Sequence, residues 1–216
     1  MTCNVIATGS KGNAVLLDGT ILLDCGVPYK LIKPYVRRLK LVLLTHIHGD
    51  HFNQATIRRL HKERPTLRFG CCEWLAAPLL DAGINARYID VFFPDLTYTY
   101  GADLRISPFW LIHDVQNCGY RILYANEEKA LYATDTGSMD NVSAKGYDLY
   151  MIEANFTKQE LDERIRRKTE SGEFIYEHRA AATHLSREAA DLWLMDNASR
   201  DSKVIYLHQH EEPKGE

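Results

Sequence analysis

Short apolar runs, each closed by polar or turn-forming residues, recur along the whole chain. Continuous apolar stretches of this length suit strands buried on both faces, whereas apolar residues three and four apart suit helices. On that basis strands are expected at Cys3–Ala7, Ala14–Leu17 and 21–24, followed by a helix over 29–40 that Pro34 interrupts. A strand at 41–45 (Leu41-Val42-Leu43-Leu44-Thr45) leads to a helix over 53–64, which Pro65 closes because proline cannot continue the hydrogen-bond ladder. A strand at 66–70 and a helix at 73–82 complete the first half. The second half begins near Tyr98, with strands at 103–113, 120–125, 130–134 and Leu149–Glu153. Helices over 158–168 and Arg187–Asn197 precede a last strand at 203–208. Two βαβ-like halves without a Gly/Ser-rich linker predict one domain, residues 1–216, sharing one core. The polar tail 211–216 is expected to fray.

Composition narrows the class. With 216 residues, 45% of them hydrophobic, the chain is long enough for one well-buried core. No apolar run approaches the ~18 residues that suggest a membrane span, and no secretory signal pattern opens the chain. Five cysteines in an odd, unpatterned set (Cys3, Cys25, Cys71, Cys72, Cys118) read as reduced thiols, so the cytoplasm is the expected location and no membrane partner is expected. A net charge of −3 supplies no global attraction for nucleic acid. Basic runs at 37–40, at Arg58, Arg59, Lys62 and Arg64, and at 164–168 read first as solvated helix faces. The last leads toward His184 and is also a candidate strip beside a cleft.

The candidate chemistry sits just past the apolar run 41–44. Residues 45–51 read Thr-His-Ile-His-Gly-Asp-His, which places His46, His48, Asp50 and His51 in one turn at a strand's carboxyl end. Imidazoles with a carboxylate suit zinc, with manganese and iron behind it. His46 and His48, two apart in an extended segment, can point to one side. Asp50 and His51, beyond a Gly49 able to take the shape of a tight turn, would turn toward a second position. Further ligands must then come from elsewhere. His113, Asp135 and His208 each follow a strand-like run, and His184 lies in Thr183-His184-Leu185-Ser186. His210, two residues beyond His208, is the rival for the last position. Asp24, closing Ile21-Leu22-Leu23, either orients a ligand imidazole or is a strand-end turn acid. His61 and His178, in charged surroundings, read as surface residues.

The order His-x-His-x-Asp-His, then His, Asp and His at strand ends, resembles the metallo-β-lactamase superfamily. That resemblance implies an α/β fold, a four-layer αββα sandwich of the metallo-β-lactamase type, holding two divalent ions. Gly9-Ser10-Lys11-Gly12-Asn13, His113-Asp114 with Gly119-Tyr120, Glu153-Ala154-Asn155 and His184-Leu185-Ser186 are similar to the YycJ/WalJ-type branch related to ribonuclease Z. The chain departs from that branch at Phe156-Thr157, where His-Asp is usual, and at His208-Gln209-His210, where His-Leu-Ser is usual. Carried over residue by residue, the resemblance implies one ion on His46, His48 and His113 and a second on Asp50, His51 and His208. Asp135 bridges them. Asp50 and His184 are the implied catalytic residues, His184 as the proton donor.

The resulting expectation is a binuclear hydrolase, first a phosphodiesterase or nuclease acting on DNA or RNA through a metal-bridging hydroxide, with His184 as general acid. Cyclic nucleotides or other small phosphodiesters are the alternative substrates, and thioester or lactone hydrolysis is a further one. A binding module with purely structural metals is the non-enzymatic alternative, which the open position of a catalytic site argues against. Expected partners are a nucleic acid or nucleotide substrate and, since relatives dimerise, a second copy of the chain.

Overall fold

The computed structural model describes residues 1–209 and contains two six-stranded sheets with helices in the connections. The first sheet has the order β1 (Cys3–Ala7), β2 (Ala14–Leu17), β3 (Ile21–Leu23), β4 (Leu41–Leu44), β5 (Arg68–Cys72) and β6 (Ile89–Phe92). Its first three strands pair antiparallel, and β3 through β6 run parallel. Parallel neighbours need crossovers, which here carry α1 (Tyr29–Ile32), α2 (Gln54–Glu63) and α3 (Ala76–Asp81). Every residue of β2, β3 and β4 is buried, which explains why these strands read as unbroken apolar runs.

The second sheet comprises β7 (Tyr98–Tyr100), β8 (Leu104–Leu111), β9 (Asn117–Tyr124), β10 (Lys129–Ala133), β11 (Leu149–Glu153) and β12 (Lys203–Leu207), its strand order being the reverse of that sequence. β10, β11 and β12 run parallel, and β9 returns antiparallel to β10. Between β11 and β12 the chain forms α4 (Lys158–Ser171), α5 (Glu177–Thr183) and α6 (Arg187–Asn197).

Contacts divide the chain into two compact units, Met1–Pro108 and Phe109–Glu216. In the first, Leu22, Val42 and Leu44 pack with Ile57 and Leu60 of α2 and with Phe69 and Leu79, all without solvent exposure. In the second, Leu131, Ala133, Tyr150 and Ile152 pack with Leu185, Ala190 and Leu194. Each fully buried aliphatic side chain of this kind contributes about 1.5–3 kcal/mol.

Local signals fix the helix starts. Asn53 accepts a hydrogen bond from Thr56 N–H at 3.0 Å and caps α2. Thr157 and Glu160 form a reciprocal capping box at the start of α4, and Ser186 caps α6 through Ala189 N–H at 3.1 Å. The expected helix over 29–40 is confined to Tyr29–Ile32. Pro34 has no N–H to continue the ladder, and successive turns close from Tyr35 N–H to Ile32 O and from Arg38 N–H to Tyr35 O. Among the described residues, β6, β7, α5 and a 3₁₀ turn at Ala86–Tyr88 were not expected. The helix expected over 73–82 opens with a 3₁₀ turn at Glu73–Leu75. His210 and the tail 211–216 lie outside the described residues. Among the described residues, no helix is long and apolar enough to cross a membrane.

Candidate metal centre

In the first unit, β4 delivers the chain into the turn that carries four of the expected ligands. His51 N–H and Phe52 N–H both bond to His48 O, at 2.9 and 2.7 Å, and so close the turn. Cys25 N–H then bonds to His51 O and Asn53 N–H to Cys25 O, both at 2.9 Å, which seats the turn on the segment after β3. That seat requires glycine at position 26, because a Cβ there would fall 1.7 Å from Asp50 O. Gly49 has open space around it and no left-handed backbone angle, so the turn does not need the conformational freedom expected of Gly49, and the demand for glycine is the steric one at Gly26.

The imidazoles cluster. The His46 ring centroid lies 4.2 Å from that of His51 and 4.9 Å from that of His48. His46 and His51 are fully buried. Asp24, also fully buried, organises both. Its Oδ2 lies 2.8 Å from His51 Nδ1, while its Oδ1 accepts from Thr45 N–H at 3.0 Å and from the Thr45 hydroxyl at 2.9 Å. With its only hydrogen committed to Asp24, the Thr45 hydroxyl receives His46 Nδ1–H at 3.0 Å. Both rings therefore carry their proton on Nδ1 and present the lone pair on Nε2. This is the tautomer a metal ion takes, and a carboxylate behind the ring is the usual means of fixing it. Of the two readings left open for Asp24, the geometry selects the one in which it orients an imidazole.

The second unit gathers His113, Asp135, His184 and His208, and adds Glu153. Donor atoms of Asp135, Glu153, His184 and His208 all lie within 4.8 Å of one another, a spacing that could hold an ion. His208 Nδ1 is 2.7 Å from Asp135 Oδ1 and 3.4 Å from Glu153 Oε1. His184 Nδ1 is 2.6 Å from Glu153 Oε1 and 3.3 Å from Asp135 Oδ1. Glu153 Oε2 accepts from Thr136 N–H at 2.8 Å and Leu185 N–H at 3.2 Å, which anchors the carboxylate at the end of β11. His113 Nδ1 donates to Thr183 O at 3.0 Å. Asp114, beside it, pairs with Arg179 of α5. His184 is the C-cap of α5, so one short helix serves both histidines.

The electrostatics follow from burial opposed by charge. Burial works against an ionised Glu153, yet the hydrogen bonds from His184 and His208 hold its carboxyl below the usual range. Burial likewise disfavours a charged His208, but Asp135 and Glu153 outweigh it and push its pKa up to about 10. His184 is raised for the same reason, with Glu153 the main partner. His113, where burial dominates, is lowered and stays a neutral imidazole. Two buried carboxylates facing two imidazoles form a pocket that demands positive charge, and this donor set fits a divalent cation.

Glu153 was not among the expected site residues. Its signal was a lone acid closing the apolar run Leu149-Tyr150-Met151-Ile152, the same pattern that marks Asp24. Asn13 was also missed, although its motif was noted: its side-chain Nδ2 reaches His51 Nε2 at 2.8 Å. His178 is exposed. His61 is half-buried instead of lying on the surface, with its Nε2 3.4 Å from Asn85 N.

The profile of the β-lactamase superfamily domain matches residues 20–208, most of the chain and both units. The chain belongs to the β-lactamase superfamily. No curated relative matches it in sequence. Its fold is that of solved metallo-β-lactamase proteins. YhfI from Bacillus subtilis aligns with a TM-score of 0.72 at 18% identity, covering 98% of this chain and 87% of that one. The short form of human tRNase Z aligns with a TM-score of 0.73 at 15% identity, covering 97% and 92%. A diphosphatase of the PhnP family aligns with a TM-score of 0.63 at 15% identity, covering 96% and 85%.

Proposed function

We propose that this superfamily member is a binuclear metal-dependent phosphodiesterase of the YycJ/WalJ-type branch, acting on DNA or RNA. In this reading His46, His48 and His113 hold one ion, Asp50, His51 and His208 hold the other, and Asp135 serves both. Zinc suits so imidazole-rich a set, with manganese and iron as alternatives. Supporting it are the Nε2-outward tautomers of His46 and His51 and a superfamily match that spans all seven ligands. When bound, two such ions polarise a phosphoryl oxygen and bring the pKa of a water toward ~7.

The observation that carries phosphodiester chemistry is His184. Its Nδ1 is fixed by Glu153 Oε1 at 2.6 Å, and the side chain remains one-fifth exposed. Burial disfavours the charged imidazole, but Glu153 outweighs it and raises the His184 pKa, which favours the form that can hand a proton to a departing alkoxide. An alkoxide leaves phosphorus more readily when such a donor protonates it. Two structural neighbours, a tRNase and a diphosphatase by name, favour phosphoryl transfer over lactam or thioester cleavage.

Small phosphodiesters such as cyclic nucleotides are the second reading. It is favoured by the net charge of −3 and by α4, whose exposed Arg166 and Arg167 alternate with Asp162, Glu163 and Glu170. A panel of single- and double-stranded DNA, RNA and cyclic mononucleotides, assayed with Mn²⁺ or Zn²⁺ at two salt concentrations, tests both. Polymer cleavage that weakens steeply with salt supports the first reading. Turnover of cyclic mononucleotides alone supports the second, and no turnover of any phosphodiester at full metal occupancy rejects both.

A further inference from the structure

The loop Gly9–Asn13 joins β1 to β2 and reaches the metal-ligand turn through one side chain. Asn13 is buried, with 2% exposure. Its backbone is bonded on both sides: Asn13 N–H donates to Asp50 O at 2.6 Å, and Asn13 O accepts from Gly26 N–H at 2.9 Å. Gly9 N–H donates to Asn13 Oδ1 at 2.8 Å, which fixes the orientation of the carboxamide. The amide nitrogen then faces four acceptors: Gly9 O at 3.1 Å, Asp50 O at 3.2 Å, Asp50 Oδ2 at 3.4 Å and His51 Nε2 at 2.8 Å.

Two hydrogens serve four acceptors, so the amide can redistribute its bonds without moving far. The shortest of these contacts is the telling one. With Asp24 holding His51 Nδ1–H, the atom that meets the Asn13 amide is Nε2, and its lone pair is the one His51 would offer a cation. Asp50 Oδ2, the neighbouring donor, is shared by the same amide.

We infer that Asn13 is a positioning residue that occupies the cation's place on Asp50 and His51, and exchanges with the ion for their lone pairs. This rests on the reading of Asp50 and His51 as ligands. When an ion takes Nε2 and Oδ2, the amide hydrogens turn to Gly9 O and Asp50 O, which stay within reach. The exchange has a thermodynamic signature. A side chain that only braces the loop stabilises the protein equally with and without the ion. One that exchanges with the ion stabilises chiefly the ion-free protein, and thereby weakens ion binding.

The test compares wild type, Asn13→Ala and Asn13→Leu after chelator treatment, each titrated with Zn²⁺ and separately with Mn²⁺. Calorimetry gives stoichiometry and affinity, and thermal unfolding is followed with and without saturating ion. Asn13→Leu matches the size and removes the amide donor without adding charge, so it serves if the smaller side chain collapses the loop. For the variants, Tm should fall without ion, and saturating ion should recover at least about half the deficit. One ion should bind about five- to tenfold more tightly, as expected on removing one hydrogen bond that binding must break. An equal deficit in both states, or weaker binding of the ion, overturns the inference. Wild-type protein that takes up no divalent ion instead overturns the ligand reading itself.

Discussion

Asp24 Oδ2 lies 2.8 Å from His51 Nδ1, a contact between the ends of two distant segments in which both side chains are fully buried. The same carboxylate fixes His46 through the Thr45 hydroxyl. One acid at the end of β3 thus sets the tautomers of two imidazoles at the end of β4.

Asp24→Asn is therefore expected to reduce metal affinity about 10–100-fold, because an amide cannot accept from His51 Nδ1–H and from the Thr45 hydroxyl that fixes His46 as the carboxylate does. Elemental analysis after dialysis against graded chelator measures this. Metal retention equal to wild type, in a protein of unchanged circular dichroism, would show that the tautomers are set elsewhere.

His184→Ala should retain metal while turnover drops about 10²-fold or more. Loss of metal in that variant would make His184 a ligand. Glu153→Gln gives a more selective signature. Since Glu153 holds the His184 pKa up, removing its charge lowers that pKa, and the alkaline limb of the pH–rate profile should shift to lower pH. A profile displaced in height alone would assign Glu153 a purely structural part.

The pair Lys168 Nζ to Glu177 Oε1, at 2.8 Å with side-chain exposures of 11% and 1%, anchors α4 to the start of α5, the helix that ends at His184. Tyr176 lies beneath the ammonium, its ring centroid 3.6 Å from Nζ. Lys168→Met strands a buried carboxylate and should cost about 3–5 kcal/mol in urea unfolding at pH 7. Burial opposes ionisation of Glu177, but Lys168 prevails and lowers its pKa. The contribution of the pair is thus complete above the ordinary carboxylate value near 4.5 and is lost as pH falls through the lower folded-state value. The gap between variant and wild type should accordingly narrow in acid.

Much of this was legible in the residues, for physical reasons that also mark where legibility ends. β11 and α6 fall on the boundaries their patterns suggest, because Leu149-Tyr150-Met151-Ile152 is a buried run and Ser186 is a good cap. β6 was invisible: Ile89-Asp90-Val91-Phe92 is a short edge strand whose partly exposed residues break any alternation. α5 offers only seven residues rich in alanine, too few for a period to emerge. The histidine cluster in 45–51 announced itself by density. Glu153 did not, since an acid ending a strand looks like turn chemistry until His184 is seen beside it.

Asp24, Asp135 and His208 all carry positive φ angles, of 57°, 55° and 53°, at or just beyond the ends of their strands. L-residues enter that region at a cost of roughly 1–2 kcal/mol each, while glycine enters nearly free. The protein therefore spends conformational comfort to aim its donors. Exchanging His208 for glycine would relax the main chain by that amount yet strand the buried carboxylates of Asp135 and Glu153, a larger loss, so the pairing that aims the side chains also holds the strained backbone in place. Durability and competence rest on the same few bonds.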